Sequence, residues 1–299
     1  MLILKDIKPD LLDASAIALG FFDGVHKGHE TVIKTMLAKA KKYNLTSCVV
    51  TFSNHPIEIL QKNFVPSIIS FEKRLELIQK LGVESVLVLE FSNELISLSA
   101  ESYLREILVK SLHPRFITLG FNHFFGANKK GNAEFLINNA SKYNYEVLSV
   151  PPVKIGEETV SSSLIKKYIA ESNFIKANLH LGRDFSVKGE VVKGRGIGHT
   201  IGFATANIIP PDGLVDIPNG VYAGWTIANE KKYKSVINVG TAPTLKNSQK
   251  TIEAHLLNFD KDIYGQKIEV GFIKKIRDER KFESKKELIS QIKADCSEV

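Results

Sequence analysis

Short apolar runs alternate along the first half of the chain with segments whose apolar residues recur every three or four positions. Ile17 to Phe22, Ser47 to Phe52, Val83 to Leu89, Arg115 to Gly120 and Tyr145 to Val150 have the length and composition of buried strands. Between them, Thr31 to Tyr43 places Val32, Ile33, Met36, Leu37 and Ala40 on one helical face, and Phe71 to Leu81 turns Leu75 and Ile78 inward. Ala100 to Leu108 and Asn132 to Ser141 read as further helices, and residues 1–15 as an edge strand or arm. Such alternation predicts an α/β fold, a mostly parallel sheet covered by helices. Ligands of such sheets bind beyond the carboxyl ends of the strands. His26, His55 and Asn122 each follow a predicted strand, so they can converge on one crevice.

The pattern changes in the second half. Ser161 to Leu181 carries two short helical patterns, with Ser161 placed to cap the first. From Phe185 onward glycines and short alternating runs dominate: Phe185 to Val192, Val221 to Ile227, Lys234 to Val239, Ile252 to Leu257 and Lys267 to Ile273. Short strands with turn signals predict a small antiparallel β-barrel, closed by an amphipathic helix over Ser284 to Ala294. The expected domains are therefore 1–182 and 183–299.

Composition changes this picture little. The 299 residues suffice for two domains with sizeable cores, and the formal net charge is +7. A basic surface admits nucleic acid and polyanionic nucleotides alike and does not choose between them. Cys48 and Cys296 fall in different expected domains, so neither a disulfide framework nor a cysteine metal cluster is implied. The first residues lack a signal-peptide pattern and no apolar run reaches membrane-spanning length. A cytoplasmic protein without a membrane partner is expected.

The stretch Leu19-Gly20-Phe21-Phe22-Asp23-Gly24-Val25-His26-Lys27-Gly28-His29 joins a strand, a glycine turn and a helix start. A helix N-terminus offers unpaired N–H groups to phosphate, and Gly24 and Gly28 let a ligand approach the backbone. The stretch is neither a G-x-G-x-x-G fingerprint nor a lysine-bearing P-loop. The bland reading of the stretch is a glycine turn bearing two surface histidines. The histidine-x-glycine-histidine step resembles the signature of the nucleotidyltransferase superfamily. The longer string Phe22 to His29 resembles the bacterial bifunctional riboflavin kinase/FAD synthetase family. That resemblance implies that His26 and His29 stabilise charge on the α-phosphate of ATP, with Gly20, Phe22, Asp23, Gly24 and Gly28 forming the nucleotide-binding turn. Asp23 would orient the turn or help to hold the nucleotide.

Further segments match the same family in family order. Thr51 to Pro56 is similar to a threonine-phenylalanine-x-proline-histidine-proline segment, with Asn54 where proline is usual; His55 would contact phosphate or fix the loop. Gly120 to Gly126 is similar to a glycine-x-aspartate-phenylalanine-x-phenylalanine-glycine segment, with Asn122 at the acidic position and His123 at an aromatic one. Asn122 would contact the flavin or nucleotide, or belong to a packed turn. Ser161 to Lys166 resembles serine-serine-threonine-x-isoleucine-arginine, so Ser162, Ser163 and Lys166 would meet the triphosphate.

In the second half, Gly194 to Asn207 resembles the riboflavin kinase signature that ends proline-threonine-alanine-asparagine, with Ala204 in place of proline. Gly194, Gly196 and Gly198 would expose N–H groups to phosphate. Thr205 and Asn207, two apart on an extended segment, point to one side and offer oxygens suited to Mg²⁺. A strand threonine and a turn asparagine would give the same letters. By the same resemblance Tyr222 lies on a strand beside the nucleotide, Asn238 in an asparagine-x-glycine-x-x-proline-threonine turn, and Arg277, before the last helix, in a segment that closes over flavin. Alternation puts Thr251, Glu253 and His255 on the face opposite Ile252, Ala254 and Leu256. Glu253 is then a solvent-facing strand residue or, as the resemblance implies, the base.

The resemblance implies phosphorylation of riboflavin by ATP to FMN, followed by adenylylation of FMN to FAD with release of pyrophosphate. Mg²⁺ would serve both reactions. The expected partners are riboflavin, FMN and ATP, without nucleic acid, in a monomer or weak homo-oligomer. One alternative is a riboflavin kinase whose first domain is a scaffold, motivated by Asn54, Asn122 and Lys166. A flavin-responsive nucleic-acid-binding protein is the other, motivated by the charge and by Lys39-Ala40-Lys41-Lys42.

Overall fold

The structure, a computed structural model, describes residues 1–54, 65–194, 198, 201–243 and 248–299. They form two compact units, Met1–Ser162 and Ser163–Val299. The first is built on a six-stranded parallel sheet of β1 (Leu2–Leu4), β2 (Ser15–Leu19), β3 (Thr46–Phe52), β4 (Ser85–Leu89), β5 (Pro114–Gly120) and β6 (Glu146–Val150). Its order is β1-β4-β3-β2-β5-β6, so the N-terminal arm is an edge strand beside β4, and a separate short ribbon pairs β7 (Lys154–Ile155) with β8 (Glu158–Thr159). Every residue of β2 is buried, as suits a central parallel strand covered on both faces. In register, Ile17 stands between Cys48 on β3 and Ile117 on β5.

Two local departures from the sequence expectation matter for function. β2 ends at Leu19 rather than Phe22, because the chain turns sharply there: Phe22, Gly24 and Val25 all take positive φ (57°, 83° and 40°). A positive φ at a β-branched residue is a real strain, and such strain collects at ligand-binding turns. The helix expected over Ala100 to Leu108 widens into a π-helical stretch, Tyr103–Val109. Such wide turns are rare and frequent at functional sites, and Tyr103 faces a cavity described below.

The second unit is a closed antiparallel barrel of β9 (Phe185–Val192), β10 (Ala206–Ile208), β11 (Gly220–Ala228), β12 (Lys231–Pro243), β13 (Ser248–Leu256) and β14 (Lys267–Arg277), in the order β10-β13-β12-β11-β14-β9. Closure leaves no unpaired sheet edge. The helices Ser162–Ala170 and Phe174–Leu181 precede it, and the last helix is Lys285–Ser297. Phe174 is wholly buried, stacked on Phe272 at 5.1 Å and edge-on to Tyr222 at 5.3 Å. This aromatic core draws Phe174–Leu181, counted with the first domain from the sequence, into the barrel unit.

Candidate active sites

At the carboxyl ends of β2 and β5 the first unit opens a cavity of about 910 Å³. Of the residues expected there, Gly20, Phe22, His29 and Asn122 line it. His26 caps the helix Lys27–Tyr43, with its Nδ1 accepting the His29 backbone N–H at 3.2 Å. With Nδ1 used as an acceptor, a neutral His26 carries its proton on Nε2 and has a donor there. The His26 and His29 rings stack at 3.6 Å and 13°. Gly28 makes this possible: a Cβ there would lie 3.2 Å from the His26 ring. Phe22 meets His29 edge-on at 5.3 Å and fixes its other flank. Two imidazoles on a helix N-terminus, beside strained backbone, are chemically suited to an anion.

Asp23 is buried and orients the turn. Its Oδ1 accepts the Ile68 N–H at 2.8 Å, and its carbonyl accepts from the Ser162 hydroxyl at 3.0 Å. Ser162 thus ties the turn and does not line the cavity. Ser163 and Lys166 lie on the helix Ser162–Ala170, in the second unit. His55 falls outside the described residues. Asn54, the departure from proline, has a visible task. Its amide donates to the Phe91 carbonyl at 3.0 Å and accepts the Phe91 N–H at 2.8 Å, holding a residue of the cavity wall.

The second unit carries a cavity of about 350 Å³ lined by Gly198, Thr205, Asn238, Glu253 and Arg277 among others. Three neighbouring strands bring the polar residues into one row: Glu253 on β13 pairs with Asn207 on β10 and with Asn238 on β12. The burial of Ile252, Ala254 and Leu256 leaves Glu253 and His255 on the cavity side, as alternation predicted. The Asn207 amide lies 3.4 Å from the Thr205 hydroxyl, so the two side chains converge. Gly194 permits this packing, since a Cβ there would come within 2.6 Å of the Asn207 amide. Gly196 lies outside the described residues.

Two expected contacts are placed differently. Tyr222 is buried in the barrel core, where its hydroxyl donates to the Pro218 carbonyl at 2.6 Å and meets Ser172 at 3.1 Å. Its phenol pKa is raised by burial. Arg277 lines the cavity, but its guanidinium is engaged by Asp295 on the last helix, with Nε–Oδ1 at 3.0 Å and Nη2–Oδ2 at 2.8 Å.

Several cavity residues carried no signal in the sequence. Phe21, Phe52, Phe91 and Tyr103 make the first cavity strongly aromatic. Beneath them lies Arg74, buried on the helix Phe71–Lys80. In the second cavity Glu279 accepts from Asn219 at 3.0 Å and lies 3.5 Å from the Asn238 amide. Only the pattern of Arg74 was unusual in sequence, a cation on the face that also carries Ile78.

Residues 8–164 match the family model described as FAD synthetase, and residues 181–299 match that described as riboflavin kinase. A bifunctional riboflavin kinase/FMN adenylyltransferase of Buchnera aphidicola is 36% identical over 94% of this chain and 91% of its own length. One of Escherichia coli K12 with the same description is 33% identical over 95% of this chain and 91% of its own. A solved structure from Streptococcus pneumoniae, described as a macrolide-efflux protein, is 30% identical with a TM-score of 0.89, covering 99% of this chain and 98% of that one. Among the described residues of this chain no helix is long and apolar enough to cross a membrane.

Proposed function

The chain belongs to the family of bifunctional riboflavin kinase/FMN adenylyltransferases, and from that premise we propose how its two cavities divide the chemistry. The barrel unit moves the γ-phosphoryl of ATP to the ribityl 5′-hydroxyl of riboflavin, giving FMN and ADP. The first unit joins FMN to the α-phosphate of a second ATP, giving FAD and pyrophosphate. The observation that supports the division is that each compact unit holds a cavity of its own, the first lined by His29 and the second by Glu253. We place the functional boundary at 182, within a residue or two of the start of the riboflavin kinase match.

In the barrel, Glu253 orients the 5′-hydroxyl and accepts its proton as the oxygen attacks phosphorus. Thr205 and Asn207 would hold Mg²⁺. The two side chains lie together, Asn207 donating its amide to the Thr205 hydroxyl, and the oxygen each carries is a hard ligand; few protein ligands suffice for an ion that keeps water and substrate phosphates in its shell. Bound there, the ion would offset phosphate charge. Among the described residues no group of three histidine, cysteine or carboxylate side chains competes for a metal. Asn238 and the backbone at Gly194, Gly196 and Gly198 complete the nucleotide side.

In the first unit, His26 and His29 stabilise the charge that develops on the α-phosphate, and Gly20, Phe22 and Asn122 shape the cavity around FMN. His55 assists at the triphosphate. The reading is of a cytoplasmic monomer or weak homo-oligomer that works on small molecules, without nucleic-acid or membrane partners. A time course with riboflavin, ATP and Mg²⁺ tests it: FMN appears first and FAD follows. FMN without FAD, at high enzyme concentration and with FMN supplied, would leave only the kinase.

A further inference from the structure

Arg74 is the most deeply buried cation among the described residues, at 3% exposure, and the mechanism above does not use it. One nitrogen, Nη1, donates to the Phe21 carbonyl at 2.7 Å, the Phe52 carbonyl at 3.0 Å and the Thr51 hydroxyl at 3.3 Å. Thr51 in turn donates to the same Phe21 carbonyl at 3.0 Å. Phe21 follows β2 and Phe52 ends β3, so a single group joins the ends of two central strands. The guanidinium also lies 4.3 Å from the centre of the Phe21 ring. Phe21 and Phe52 both line the first cavity.

The arrangement is costly for a merely structural one. Arg74 Nε is buried without a hydrogen-bond partner among the described residues. An apolar side chain in this place would avoid the desolvation of both. Burial pulls Arg74 down to about 10, against the pull of Asp23 and Glu72 in the other direction, so it remains a cation at neutral pH. What the cation adds over an apolar residue is directional: it sets the spacing of two strand ends and the tilt of one aromatic ring.

We propose that Arg74 is a positioning residue for the flavin ring of FMN, acting through Phe21 and Phe52. This rests on the first cavity being the FMN adenylyltransferase site. The proposed mechanism gives the α-phosphate to the His26 and His29 imidazoles, whereas Arg74 holds the aromatic wall of the cavity, so the effect falls on the flavin and spares ATP. Among the described residues only Nη1 of the Arg74 guanidinium makes polar contacts, so a lysine ammonium with three donors can restore them. A methionine of similar reach cannot.

The experiment uses the full chain as wild type, Arg74→Met, Arg74→Lys and Phe21→Leu. FAD formation is followed with FMN and ATP varied separately, and FMN binding is titrated by calorimetry. Formation of FMN from riboflavin reports the second unit. Arg74→Met is expected to raise KM for FMN about 10-fold, with KM for ATP within about 2-fold, kcat little changed and FMN formation normal, a loss about equal to one tenfold step in affinity. Arg74→Lys recovers most of it. Phe21→Leu leaves the guanidinium its other contacts and reproduces the rise even if Arg74→Met proves too unstable to assay. Equal rises in both KM values, no recovery with lysine, or a Phe21→Leu variant with normal KM for FMN would each overturn the proposal. A wild type that neither binds FMN at this unit nor makes FAD would instead overturn the reading it rests on, and this proposal with it.

Discussion

Glu253 stands directly opposite Asn207 across the β13–β10 pair, and opposite Asn238 across β13–β12. One carboxylate is thus framed by two amides on the cavity side of the barrel. Replacing Glu253 with Gln keeps the shape and the hydrogen-bonding capacity but removes the proton acceptor that the proposed mechanism requires. FMN formation should fall about 10²-fold or more, the range of general-base catalysis. FAD formation from supplied FMN should continue. A quenched time course that shows a normal chemical step in Glu253→Gln would remove Glu253 from the mechanism.

The two imidazoles of the first unit act as a stacked pair, so removing both is the cleaner test. His26→Ala with His29→Ala should lower FAD formation about 10²-fold to 10³-fold, the loss typical of a missing oxyanion donor. FMN formation should stay near normal. The His26 side chain also caps a helix, so a stability decrease of about 1 kcal/mol accompanies the change. Circular dichroism separates the two effects: a folded double variant that makes FAD at the wild-type rate contradicts the assignment.

His123 gives the first unit a pH dependence of its own. His123 is half-buried in the wall of the first cavity, and the loss of water around its ring there pulls its pKa from the ordinary 6.5 down to about 4. Between those values the unfolded chain binds the proton and the folded chain does not, so stability falls as pH falls through that window and is fully present above it. His123→Phe restores an aromatic ring without a titrating group. The variant should lose less stability than wild type between pH 7 and pH 5 in denaturant titrations, while carboxylates elsewhere affect both chains alike. Parallel losses would show that His123 is not responsible.

How far the sequence reached depends on where each residue's information lies. Strand and helix order was legible because β2, β3 and β5 are apolar runs and the helix Lys27–Tyr43 repeats its apolar face. The face of Glu253 followed from simple alternation, and the convergence of Thr205 and Asn207 from their spacing. Tyr222 was misleading because its neighbours Val221 and Ala223 are equally apolar and the strand is buried nearly throughout, so alternation does not say which side meets a ligand. Arg74 and Asp295 were missed for another reason. Arg74 showed at most its place on the Ile78 face and Asp295 nothing at all, because the partner of each, Phe21 or Arg277, is distant in sequence and is brought against it only by the fold.

Asp295 supplies the last prediction. It is 1% exposed on the helix Lys285–Ser297, and it accepts from Arg277 through both oxygens and from Gln291 at 2.8 Å. Leu288 and Ile292 of the same helix line the second cavity. The pair therefore fastens a wall of that cavity to the end of β14. Removing one member of a buried pair costs about 3–5 kcal/mol, and less here, since the Arg277 side chain is 20% exposed and can rehydrate. Asp295→Ala should then destabilise the barrel unit by about 2 kcal/mol and raise KM for riboflavin more than it lowers kcat. Trp225, the single tryptophan, lies on β11 and reports unfolding of this unit by fluorescence. FAD formation from supplied FMN should be unaffected. The opposite outcome is informative too: if Arg277 serves the ligand directly and Asp295 only competes for it, Asp295→Ala lowers KM for riboflavin. That result would return Arg277 to a ligand-binding role and remove the helix-fastening one.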